Sequence, residues 1–300
     1  MKKLILFLFV IFCSNKIFAQ AELVFIADCQ APLWVEQIFL QNENNVEAID
    51  SLFDRIIRKK PSTVFFLGDM VAIGFLNSSW KYFDEFLRSL KKKKIPYYAT
   101  PGNHEYIINS KKGIQNFEIR FQSQNKNFVV QIIDSIAVIL INSNFNKITI
   151  SEKDEMLSNY EKTLSSLDES PAIKYILVCT HHSPYTNSTI VSPSEEVESM
   201  IVPQYLRSKK AVLFLSGHSH NFELFKEKGK YFFVIGGGGG LKQKLKPIEQ
   251  RKYQEIYQNI ERYRFFFVTI ERKEDGILFG LHGMNTSNEQ EKHEHIFLKY

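Results

Sequence analysis

The ten residues AVLFLSGHSH, 211–220, decide the reading of this chain. AVLFLS is a short, continuous apolar run, the signature of a buried β-strand. Gly217-His218-Ser219-His220 closes it. On an extended strand end, residues two apart share a face. His218 and His220 therefore point the same way, and Ser219 points away.

Four other runs end in the same manner. LVFIA (23–27) leads to Asp28-Cys29-Gln30, and TVFFL (63–67) to Gly68-Asp69. IPYYATP (95–101) leads to Gly102-Asn103-His104-Glu105, and KYILVCT (174–180) to His181-His182. In an open α/β sheet, ligands gather outside the carboxyl ends of the strands. Segments spread over nearly two hundred residues can thus converge on one site. Asp28 and Gln30 share a face, Asp69 follows a glycine that permits close approach, and Asn103 and His104 add an amide oxygen and an imidazole. Hard oxygens mixed with imidazoles suit Zn, Mn or Fe. One carboxylate can bridge two such cations about 3.5–4 Å apart, and the pair can activate water and hold phosphoryl oxygens. Any one of these histidines alone reads as a buried core residue. Five of the chain's eight histidines standing in an ordered series of strand ends do not.

The N-terminus reads as a signal peptide over residues 1–21. Met1-Lys2-Lys3 is basic, Leu4 to Phe12 is apolar, and Ala19-Gln20-Ala21 is a small-x-small cleavage site. Phe12 is too bulky for lipoprotein processing at Cys13. A secreted or periplasmic protein follows, with residues 22–300 as a single domain and no membrane association after cleavage. The leader holds three lysines and no acid, so its removal takes the net charge from +5 to +2. A nearly balanced surface argues against nucleic acid as the main partner. Lys91 to Lys94 reads as the solvated end of a helix. Cys29 and Cys179 survive cleavage; they stand at strand ends and are either buried thiols or a disulfide pair.

Between the strands the pattern turns helical. Val46–Lys60 places Ile49, Leu52, Phe53, Ile56 and Ile57 on one face, and Trp80–Lys93 does the same with Phe83, Phe86, Leu87 and Leu90. Ser151–Leu167 reads as a helix capped by Ser151 with Asp154 three residues on. A helix over 194–207 should break near Pro203. FVVQII and IAVILIN are adjacent strands joined at Asp134-Ser135, which makes the sheets mixed. Further strands are FELFK, YFFVIG, FFFVTI and ILFGLH. Residues 106–126, 183–193 and 236–240 read as loops around a pocket. The five glycines 236–240 either present amides to an anion or mark a tight backbone passage. His293-Glu294-His295 reads as a polar terminus.

The series resembles the calcineurin-like metallophosphoesterases, whose pattern runs Asp-x-His, Gly-Asp, Gly-Asn-His, His and Gly-His-x-His. The resemblance implies an α/β fold, a four-layer αββα sandwich with two mixed sheets and a dinuclear centre between them. It implies a first ion on Asp28, Gln30, Asp69 and His220, and a second on Asp69, Asn103, His181 and His218, with Asp69 bridging. His181 is favoured over His182, which would face the substrate together with Asn103 and His104. His104 would act as general acid or charge stabiliser. Two departures stand out. Gln30 replaces a histidine, and Ala72 stands where some branches carry the aspartate that orients the catalytic histidine and others a tyrosine ligand.

The expected activity is therefore hydrolysis of a small phosphorylated substrate, monoester or diester, by a metal-bound hydroxide. His104 and Asp69 would be catalytic, and Tyr106, Tyr185 and Asn187 would be loop contacts. The alternative is a non-catalytic metal-binding scaffold on the same fold, for which Gln30 is the main support and against which His104 counts.

Overall fold

A computed structural model describes residues 21–33, 36–38, 40, 44–257, 263–284 and 292–300. The leader read at 1–21 lies outside these, apart from Ala21. No helix among the described residues is long and apolar enough to cross a membrane.

Two six-stranded mixed sheets face each other. The first is built from β1 (Glu22–Ile26), β2 (Thr63–Leu67), β3 (Tyr97–Thr100), β10 (Phe265–Lys273), β11 (Gly276–Met284) and β12 (Lys292–Lys299). Its order is β12-β11-β10-β1-β2-β3, with β1, β2 and β3 parallel and the others antiparallel. The second holds β4 (Phe128–Ile133), β5 (Ile136–Ile141), β6 (Tyr175–Thr180), β7 (Ala211–Ser216), β8 (Phe222–Glu227) and β9 (Lys230–Ile235). Its order is β4-β5-β6-β7-β9-β8, and β5, β6, β7 and β9 run parallel. The carboxyl ends of seven parallel strands thus open toward one edge of the sandwich.

Side chains alternate along each strand, so every sheet has two buried faces. Phe25, Leu67, Leu140, Leu177, Leu215 and Val268 fill the space between the sheets. Val24, Ile26 and Phe66 face outward onto α1 (Asn45–Lys59), α2 (Asn77–Lys92) and α3 (Ser110–Arg120). Ile139, Val178 and Phe214 face α4 (Ile150–Glu169), α5 (Glu195–Met200) and α6 (Val202–Arg207). The result is the expected four layers, with helices outside both sheets. The break between α5 and α6 falls at Ile201, with Pro203 in the first turn of α6.

Three expectations are corrected, and the open choice for the two cysteines falls to buried thiols. The segment 106–126 is not all loop, because α3 lies within it and buries Ile114 and Phe117. Helix α4 is capped by Thr149 rather than Ser151, in a reciprocal box with Glu152; the longer Glu side chain reaches back to the cap N–H, which the Ser151–Asp154 pair would do less well. The C-terminal histidines belong to β12, an edge strand in register with β11. Cys29 and Cys179 are both free and buried, in different cores on either side of the first sheet.

Candidate metal centre

The strand ends are knitted to one another by main-chain hydrogen bonds. Asp28 N–H donates to Gly68 O (3.0 Å), Gln30 N–H to Asp69 O (3.1 Å) and Gly217 N–H to His181 O (2.9 Å). Asp28, Asp69 and His218 adopt left-handed backbone conformations with φ of 59°, 51° and 68°. Non-glycine residues rarely hold this geometry, and it concentrates at functional sites. A Cβ on Gly102 would overlap the Asp69 carboxylate, so only glycine fits there.

On one side stand Asp28, Gln30 and His220, all buried. The Asp28 carboxylate accepts from His218 N–H (2.9 Å) and lies 3.5 Å from His220 Nε2. With the Gln30 amide nitrogen donating to Asp69 O (2.9 Å) and Asp28 O (3.1 Å), its oxygen faces His220 Nε2 at 3.3 Å. The His220 ring is fixed by Nδ1 against Leu241 O (2.7 Å). Gln30 therefore turns an oxygen inward, held by two carbonyls behind it.

On the other side, His181 Nδ1 donates to Leu67 O (2.8 Å), and Nε2 reaches Asn103 Oδ1 (3.0 Å) and Asp69 Oδ2 (3.2 Å). His104 N–H occupies the other oxygen, Asp69 Oδ1, at 2.8 Å. Donor atoms of Asp28, Asp69 and His181 lie within 4.8 Å of one another, as do those of His181, His182 and His218. His182 is tied to Ser143 Oγ through Nδ1 (2.9 Å).

The charges fit a cation. Burial opposes a charge on His181, yet Asp69 beside it lifts the imidazole to about 9. A proton on Nε2 then stands where a metal would. Burial and the charge of His181 push His182 down to about 3 and His218 well below its ordinary value, so both rings are neutral donors. Backbone carbonyls on the outer nitrogens of His181 and His220 leave their inner nitrogens for a ligand bond. The residues fit one or more transition-metal ions.

His104 stands at the edge, its Nε2 3.9 Å from Asp69 Oδ2. Its Nδ1 is bonded at 2.7 Å to the main-chain carbonyl of Ala72. The position that lacks the orienting aspartate thus supplies its backbone oxygen instead. Burial disfavours a charged ring, but Asp69 and the Ala72 carbonyl more than offset this and raise it above its ordinary value. Glu105 does not turn toward His104. It is fully buried and accepts from Asp69 N–H (3.0 Å), Met70 N–H (2.9 Å) and Gly102 N–H (2.7 Å). Burial, then Asp69, pushes its carboxyl up to about 7.

Of the three loop candidates, Tyr185 and Asn187 are taken up by packing behind the second sheet. Tyr185 packs among Phe232, Phe225 and Tyr253. Asn187 is buried and clasps the backbone of Tyr253 through both ends of its amide. Tyr106 is buried, its hydroxyl accepting from Asn142 (2.8 Å). The glycine run is a tight passage and not an anion nest. Gly236, Gly238 and Gly240 spend their amides on Asn221, Ala27 and Asp28, and a Cβ on Gly240 would strike the His220 ring. Sequence reasoning also missed Asn142-Ser143-Asn144 at the end of β5. Ser143 holds His182, and Asn144 braces Pro101 O (3.0 Å). Their polar triplet after an apolar run was the available signal.

Residues 22–222 match the family model of the calcineurin-like phosphoesterases. A probable glycerophosphodiester phosphodiesterase GpdQ of Arcobacter nitrofigilis is 26% identical over 146 residues, 47% of this chain and 50% of that protein. The match thus spans about half the length of that curated relative. Purple acid phosphatase PPD1 of yellow lupin superposes with a TM-score of 0.67 at 15% identity, over 94% of this chain and 54% of that one. GAP50, the anchor in the inner membrane complex of Plasmodium, gives 0.64 at 14% identity over 94% and 90%. At such identities these two likenesses concern the fold.

Proposed function

The chain belongs to the calcineurin-like phosphoesterases, and from that premise we propose that it hydrolyses phosphate esters at a two-metal centre. Asp28, Gln30, Asp69 and His220 would hold the first ion, and Asp69, Asn103, His181 and His218 the second. The observation that carries this reading is the meeting of His181 Nε2 with Asn103 Oδ1 at 3.0 Å and Asp69 Oδ2 at 3.2 Å, from three separate strand ends. When bound, Mn, Zn or Fe ions supply an activated water and polarise the phosphoryl oxygens.

The protein's own part is positioning and proton transfer. Ala72 O fixes the His104 ring so that Nε2 faces the site. Asp69 favours the protonated ring. His104 then holds the proton that the leaving oxygen takes. Asn103 and His182 line the substrate side, and Glu105 keeps the two loops beneath them in register. The name of the Arcobacter relative favours a phosphodiester as substrate.

The test is turnover of a chromogenic phosphodiester and phosphomonoester by residues 22–300 with Mn, Zn or Fe, beside Asp69→Asn and His104→Ala. Metal-dependent turnover lost in both variants is expected. A folded, metal-loaded protein inert toward both esters would move the assignment to the non-catalytic scaffold. Export on the leader 1–21 belongs to the same proposal. Its check is the N-terminal residue of protein recovered outside the cytoplasm, expected at Gln20 or Glu22.

A further inference from the structure

The three histidines that the metal centre leaves unused come together on the outer face of the first sheet. His293 and His295 are two apart on β12, so they share a face. His282 on β11 is directly opposite His293 in the strand register, and Gly280 is opposite His295. The rings of His282 and His293 are 4.6 Å apart, with their Nδ1 atoms at 2.6 Å, and the His295 ring is 6.3 Å from that of His282. Gly280 has no side chain to fill the space between them; a Cβ there would press on the His282 ring.

We propose that His282, His293 and His295 form a separate binding site for a borderline divalent cation such as Zn, Cu or Ni. Three imidazoles complete all but one position of a tetrahedral site, and imidazole suits these metals. The support behind the buried ligand is already built. His282 Nε2 is bonded to Thr269 Oγ1 at 2.9 Å, which fixes the ring and directs Nδ1 to its partner. Phe267 stacks on the same ring, centroids 5.0 Å apart and 7° from parallel. His293 and His295 are both exposed. Lys59, the cation near His282, is neutralised by Glu22 at 2.7 Å. Binding requires the two Nδ1 atoms to part from 2.6 Å to roughly the 3.3 Å that ~2.0–2.1 Å metal–nitrogen bonds imply, together with a rotation of His295 inward. The cation would clip the C-terminal strand to its neighbour. This inference is independent of the phosphoesterase reading.

Zinc retained after gel filtration is counted on residues 22–300, in wild type and in the surface variants His293→Ala and His295→Ala, with circular dichroism to verify folding. Each variant is expected to hold one zinc fewer than wild type and to lose the rise in melting temperature that added zinc gives. Phosphoester turnover, if present, stays at the wild-type rate, because neither residue lies in the metal centre. An unchanged zinc count in either variant would overturn the three-histidine site.

Discussion

Glu105 carries more of the site's geometry than its neighbour relation to His104 implies. Its two oxygens receive three main-chain N–H groups from the loops after β2 and β3. Glutamine has one acceptor and one donor in their place, so Glu105→Gln sets an amide N–H against a buried N–H. A buried unsatisfied donor costs about 1–3 kcal/mol, and urea unfolding of this variant should show a loss of that order. His104→Ala should slow turnover by about 10²–10⁴, with the larger loss on esters of poorer leaving groups. An equal loss across a leaving-group series would deny His104 its role as acid. The side chains proposed as ligands were legible in the chain, since residue types carry that signal. Their supports were not. The carbonyls of Leu67, Ala72 and Leu241 aim three imidazoles, and every residue type has a carbonyl.

Among the elements, α4 offers the clearest pH prediction. The Thr149 N–H, the Thr149 hydroxyl and Lys126 hold the Glu152 carboxyl down at about 2. Its folded value lies below its unfolded one. The stability it adds is therefore complete above the ordinary 4.5 and disappears as pH falls through about 2. Acid titrations of unfolding should show wild type and Glu152→Gln converging over this window. Thr149→Ala should cost about 1 kcal/mol at neutral pH. The same elements show where pattern reading fails. The amphipathic helices α1 and α2 were legible because their apolar faces are broad. SKKGIQNFEIR in α3 presents little more than Ile114 and Phe117 to the core. KHEHIFLK in β12 alternates charges with histidines at a sheet edge, so its polarity hides its pairing.

For the whole molecule, the two thiols give a test of architecture. Cys29 and Cys179 are 4% and 0% exposed, and burial pushes both thiols well above their ordinary range. A thiol reagent should find neither in the folded mature chain and both in denaturant, and reductant should leave the melting temperature unchanged. A shift with reductant would mean that the cores are arranged differently.

Strand β1, which leads into Asp28 and Gln30, is flanked by β2 on one side and by β10 on the other. All the ligands proposed for the centre precede residue 221, while β10 begins at Phe265. A chain made from its N-terminus has its full set of ligands before the strand that frames two of them exists. Metal caught by the nascent segment would meet loose donors, and the same metal offered after completion would meet a finished cage. The order of synthesis thus becomes a variable in metallation: protein refolded with metal present from the start and protein loaded after folding can end with different ions in the same site.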